Sequence, residues 1–138
     1  MATKIFVNLP VADLPRSMRF FESLGYTFNT QFSDDTAACL VIADDIHAML
    51  LTHEKYRQFT DKAIADTRTT SAVLIALSSD SRDAVDRLVD TAVKAGASEP
   101  RKPHDYGFMY HRAFDDLDGH TWEVFWMDPA HVQPQAAA

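Results

Sequence analysis

Between Ile5 and Val11 the chain alternates, with Ile5, Val7 and Leu9 on one face and Phe6 and Asn8 on the other, which is the period of a strand. The period then changes. Leu14, Met18, Phe21 and Leu24 recur at helical spacing, Asp13 stands where an N-cap belongs, Pro15 suits a first turn and Gly25 ends the run. Beyond Tyr26 to Phe28 come two more apolar runs, Ala37 to Ile42 and Ile46 to Leu51, separated by Ala43, Asp44 and Asp45, and these predict a hairpin. The first half therefore reads β-α-β-β-β.

The second half repeats that order. Val73 to Leu77 predicts a strand, Ser79 to Ser81 supply caps, Val85, Leu88, Val89 and Ala92 form a helical stripe, and Gly96 closes it. Phe108 to Phe114 and His120 to Trp126 predict a second pair of strands across Asp118-Gly119. Thr52 to Thr70 is polar, with Tyr56, Phe59 and Ile64 interspersed, and predicts a short helix followed by a connector. The expected organisation is a single domain of fold class α+β, with tandem βαβββ modules at 4–52 and 71–127 joined by a connector at 53–70.

Composition narrows the function classes. A chain of 138 residues that is 46% hydrophobic, with only Gly 4 and Pro 6, has the material for a core and is not a disordered tail. The formal charge of -7 is spread along the chain, which argues against nucleic acid or an acidic membrane as partner and favours a small molecule. Cys39 has no second cysteine to pair with and lies in an apolar run, as expected of a buried thiol in a reducing compartment. The start, MATKIFVNLP, lacks the pattern of a secretion signal, and no window is long and apolar enough to span a bilayer; a cytoplasmic protein is the expectation. Gln133 to Ala138 have little to bury and are expected to fray.

Chemistry concentrates in "DLDGHTWEVFWMDP", Asp116 to Pro129, where Glu123 is set among Trp122, Val124, Phe125 and Trp126. A carboxylate there loses hydration unless it reaches water, a cation or a ligand. Strand parity puts Glu123 with Thr121 and Phe125, away from Trp122, Val124 and Trp126. If the tryptophan face packs on a helix, Glu123 faces the other way, free to act as a general base. The competing reading ties Glu123 to Arg112 or to a backbone group and gives it a purely architectural role.

Two βαβββ modules, the opening "VNLPVADLPRSMRFFESLGY" and the closing "DLDGHTWEVFW" together resemble the vicinal oxygen chelate superfamily, which contains glyoxalase I, extradiol dioxygenases and the bleomycin and fosfomycin resistance proteins. "YGFMYHRAFDDLDGHTWEVFWMDP" is similar to small proteins described as lactoylglutathione lyase-like, whose reaction is generally unassigned. The resemblance implies a mixed sheet curled around a cavity with helices outside, and a homodimer. In its metal-using members a divalent ion is held at positions that fall on Phe6, Met49, Leu74 and Glu123 of this chain. Phenyl and isobutyl groups have no lone pair to give, and a thioether suits hard cations poorly. One carboxylate is too few.

A shifted metal set of His47, His111 and Glu123 is the alternative, since His47 lies two residues before Met49 and His111 sits on the strand neighbouring Glu123. His53, His104 and His131 fall in predicted loops, and His120 in the turn. Phe6, Asn8, Met49 and Leu74 would line the hollow as an apolar wall with one amide, and Tyr110 or His111 would add a polar handle. "EPRKPHDYGF", Glu99 to Phe108, predicts a loop able to cover a pocket mouth.

The expectation is a protein that binds a small organic molecule without a cofactor, with Glu123 as the catalytic candidate and Phe6, Asn8, His47, Met49, Leu74, Tyr110 and His111 as ligand contacts. The alternative is a metal-dependent lyase or isomerase of glyoxalase I type. An extradiol dioxygenase is less favoured, because the aligned positions supply only a carboxylate where ferrous iron wants two imidazoles as well.

Overall fold

A computed structural model describes residues 3–131, so the terminal segment from Gln133 onward lies outside the described residues. The chain divides into two compact units, Met1–Ser71 and Ala72–Ala138. Each has the βαβββ order expected, although the strand that follows the helix in the C-terminal unit lies in a segment expected as a loop.

In the N-terminal unit, β1 (Ile5–Val11) is followed by α1 (Leu14–Ser23), β2 (Thr27–Asn29), a single 3-10 turn at Thr30–Phe32, β3 (Ala37–Ala43), β4 (Ile46–Thr52) and α2 (His53–Tyr56). Asp13 caps α1 by accepting from the Arg16 amide at 3.1 Å. The sheet order is β1-β4-β3-β2, with β1 parallel to β4 and the other pairs antiparallel. Register sorts the side chains: Leu9 and Val11 share a face with Leu50, Ala48, Leu40 and Ala38, all buried. This is the face available to the buried Leu14, Phe20 and Phe21 of α1, which lies against β3 and β4. Phe6, Asn8, His47, Met49 and Cys39 share the opposite face. Burial pushes the Cys39 thiol above its ordinary pKa, as expected of an inert core cysteine.

The C-terminal unit comprises β5 (Ile75–Ser78), α3 (Arg82–Lys94), β6 (His104–Asp105), β7 (Met109–Asp115) and β8 (Thr121–Met127). Its sheet order, β5-β8-β7-β6, again sets the first strand parallel to the last. Ser81 Oγ caps α3 by accepting from the Ala84 amide at 3.0 Å. Gly96 follows the helix with φ +115°, a conformation that favours glycine, and a Cβ there would crowd Leu117 Cδ2 at 3.1 Å.

Two boundaries differ from the sequence expectation. The strand expected at Val73 begins only at Ile75, leaving Val73 and Leu74 outside it and exposed. Apolar runs identify strands by content, whereas the ladder with β8 begins at Ile75 opposite Trp122. The segment expected as a loop over a pocket contains β6, which pairs His104 with His111 and Asp105 with Tyr110. Two residues of strand between prolines and a glycine leave no periodicity to detect.

The acidic turn before β8 is built on Asp116. Its Oδ1 accepts from the amides of Asp118 and His120, each at 3.0 Å, and its Oδ2 accepts from Trp122 Nε1 at 2.9 Å. Burial drives the Asp116 pKa upward against the opposing pull of His120 and Trp122. The turn thus anchors the strand that carries Glu123.

Candidate functional site: the two faces of the C-terminal sheet

Alternation along β7 and β8 separates two chemistries. Tyr110, Arg112 and Phe114 pair with Trp126, Val124 and Trp122, so these six side chains share one face. That face is covered by α3. Arg112, only 8% exposed, donates to Asp86 at 2.8 Å and to both oxygens of Glu99 at 3.0 Å, and also lies 3.0 Å from Asp90. Bonding to Glu99 foremost holds the guanidinium firmly charged. Tyr110 Oη donates to Asp86 at 2.7 Å. Burial opposes ionisation of Asp86, but the bonds from Tyr110 and Arg112 outweigh it and lower its pKa.

Glu123 lies on the opposite face. Arg112 is committed across the sheet, and the partner of Glu123 is His111, whose Nε2 is 2.5 Å from Oε2. The pair bridges a diagonal of the antiparallel ladder, since His111 stands opposite Phe125 and Glu123 opposite Ala113. On β5 the residue beside Glu123 is Ala76. Its two cross-strand neighbours are thus alanines, Ala76 exposed on β5 and Ala113 buried on β7, and neither offers it a polar partner. The two side chains are 22% and 25% exposed, so both reach solvent while remaining fixed by each other.

His104 extends this row. It faces His111 across β6 and β7, with ring centroids 6.3 Å apart, and stacks on Tyr106 at 6.1 Å. His104 falls in a predicted loop because the two residues of β6 carry no periodic signal in the sequence. Arg82, at the start of α3, holds this edge in place: it donates to Asp105 at 2.6 and 3.0 Å and to the Gly107 carbonyl at 2.8 Å. Its guanidinium also lies 5.4 Å from the Tyr110 ring and 5.0 Å from that of Trp126. The bond from Arg82 keeps Asp105 below its usual pKa.

Tyr110 is on the α3 side, away from Glu123, and its hydroxyl donates to Asp86. Leu74 precedes β5 and is 57% exposed; the strand neighbour of Glu123 is Ala76 instead. Phe6, Asn8, His47 and Met49 do come together on one face of the N-terminal sheet, in the pairs Phe6–His47 and Asn8–Met49. The Phe6 and His47 rings stack at 4.6 Å with 13° between planes.

A family model, that of the glyoxalase/bleomycin resistance protein/dioxygenase superfamily, matches residues 5–124. The chain belongs to this superfamily. Among solved structures, hypothetical protein SA1046 from S. aureus is 25% identical over 91% of this chain and 95% of its own, with TM-score 0.77. A glyoxalase/bleomycin resistance protein/dioxygenase family enzyme from Burkholderia phytofirmans PsJN is 20% identical over 91% and 99%, with TM-score 0.75. Fosfomycin resistance protein FosX from Mesorhizobium loti is 18% identical over 94% and 96%, with TM-score 0.68. Likeness at such identities carries the fold and leaves the reaction open. No curated protein matches the chain.

The superfamily's divalent-metal site does not fit the residues present. Phe6 and Leu74 offer no donor, Met49 offers only a thioether, and Leu74 does not even lie in the strand. No group of three or more His, Cys, Asp or Glu side chains among the described residues is placed to hold a metal ion. Nor is any helix among them long and apolar enough to cross a membrane.

Proposed function

We propose that this superfamily member binds a small organic molecule on the sheet face that carries His111 and Glu123, and that the pair orients the ligand and exchanges a proton with it. The supporting observation is the position of the Glu123–His111 pair, on the face away from α3 with alanines to either side. A carboxylate bonded to one imidazole nitrogen fixes the tautomer and orientation of the ring and balances the charge the ring acquires on taking a proton. With Nε2 turned to Glu123, Nδ1 is the nitrogen that receives the proton. Fold kinship with a fosfomycin resistance protein is in keeping with a small-molecule ligand. A cytoplasmic homodimer without a resident cofactor belongs to the same reading.

A second reading, a metal-dependent lyase or isomerase of glyoxalase I type, draws on the fact that His111 and Glu123 already juxtapose two donors. It requires donors from elsewhere, His47 having been the sequence candidate. Metal analysis after purification without chelators separates the readings: a stoichiometric divalent ion supports the second, and its absence with retained ligand binding supports the first.

The direct experiment is a screen of small organic compounds by ligand-observed NMR, repeated on Glu123→Gln. Loss of a bond to a charged group predicts affinity weaker by about tenfold to a hundredfold. Because Glu123 is a quarter exposed, its melting temperature shifts by no more than about 4 °C. Unchanged affinity with a strongly lowered melting temperature would return Glu123 to a purely architectural role.

A further inference from the structure

His47 is 8% exposed, and its Nδ1 is buried with no hydrogen-bond partner among the described residues. Its surroundings explain why. The cross-strand neighbours are Phe6 on β1 and Val41 on β3, and the next residue along its own face is Met49; none carries a donor or acceptor fit for an imidazole nitrogen. Buried polar atoms are almost always satisfied, so an orphan in a β4 strand of otherwise paired groups needs a reason. The ring lying over His47 is unusual in the opposite sense: Phe6 is a large apolar side chain left 49% exposed, stacked parallel to the imidazole at 4.6 Å.

We propose that Phe6 is a movable cover over a ligand subsite, and that a planar aromatic ligand bearing a hydroxyl displaces the phenyl ring, stacks on the His47 imidazole and bonds its Nδ1. The slot vacated by a stacked ring has the shape of a ring. A half-exposed phenylalanine on an edge strand changes rotamer without disturbing the core, on a timescale far shorter than binding. A hydroxyl both donates and accepts, so it satisfies Nδ1 in either tautomer of the imidazole. The ligand gains a hydrogen bond in an apolar setting, and the protein loses an unsatisfied atom. Asn8, exposed on the same face one pair further along β1, supplies an amide within the same row for a further polar substituent.

This inference concerns the N-terminal sheet and stands apart from the role given to Glu123. Its test uses the full chain with phenol as probe and toluene as the same ring without the hydroxyl. The imidazole nitrogens of His47 are followed by long-range proton–nitrogen NMR. Phenol is expected to shift the Nδ1 resonance saturably and to bind at least about tenfold more tightly than toluene. Phe6→Ala, which removes the cover at an exposed position, is expected to tighten phenol binding. His47→Phe is expected to abolish the preference for phenol over toluene and, having no orphan atom, to melt at or above the wild-type temperature. In Glu123→Gln protein phenol still moves Nδ1, which separates this reading from the proposed function. Equal binding of phenol and toluene, an Nδ1 resonance unmoved at saturating phenol, or weaker phenol binding in Phe6→Ala would overturn it.

Discussion

Replacing Arg112 by methionine keeps most of the aliphatic stem and removes the charge that three carboxylates share. Breaking a fully buried ion pair by deleting one partner costs about 3–5 kcal/mol. That is an upper bound here, because the partners are unequally exposed: Asp86 at 43% and Asp90 at 68% can regain water, whereas Glu99 at 26% cannot do so fully. The two exposed contacts are worth about 0–1 kcal/mol each, and the two-pronged bond to Glu99 carries most of the remainder. The expected loss is about 2–3 kcal/mol at neutral pH by urea denaturation with an unchanged m-value. The pH dependence has a definite sign. Asp86 has a depressed pKa in the folded state, so its contribution is present above the ordinary carboxylate range and disappears as pH falls through the folded value. The stability gap between wild type and Arg112→Met should therefore be full at pH 7 and should narrow below about pH 4. A gap under about 1 kcal/mol at pH 7, or one that stays constant down to pH 2, would refute the assignment of Arg112 to the α3 interface.

Two further outcomes follow from register and backbone. Zinc titration by calorimetry should detect binding to Ala76→His, which adds an imidazole beside Glu123 and His111, and none to Leu74→His; the reverse result would overturn the β5–β8 register. Gly96→Ala should lose about 1–2 kcal/mol in the same urea assay, through its positive φ and the approach of Leu117, and an unchanged midpoint would show that the turn can relax.

Much of this architecture was legible because its signals are local. Asp13 and Ser81 as caps, Gly25 and Gly96 as stops, and the alternation of β1 and β8 are each specified within a few residues, and the repeat of the whole pattern follows from them. The side of the sheet on which Glu123 lies also followed from alternation, since Trp122 and Val124 had to pack on something. Alternation would further have separated Tyr110 from His111, because adjacent residues of one strand cannot face the same ligand. What the chain concealed depends on partners distant in sequence. Arg112 finds its carboxylates on α3 and in the segment after it, 13 to 26 residues away. His104 acquires meaning only through β6, a strand of two residues, and the start of β5 depends on pairing rather than on hydrophobicity. Fold was accordingly easier to read than site.

The central claim is that the face bearing His111 and Glu123, bounded by Ala76 and Ala113, receives the ligand. Crystals soaked with a compound selected by the NMR screen test it most directly. The account predicts density beside Ala76 with a polar atom in hydrogen-bonding distance of Glu123 or His111. Density on the α3 side of the sheet, or a bound compound that leaves the His111–Glu123 pair in contact with solvent alone, would contradict it.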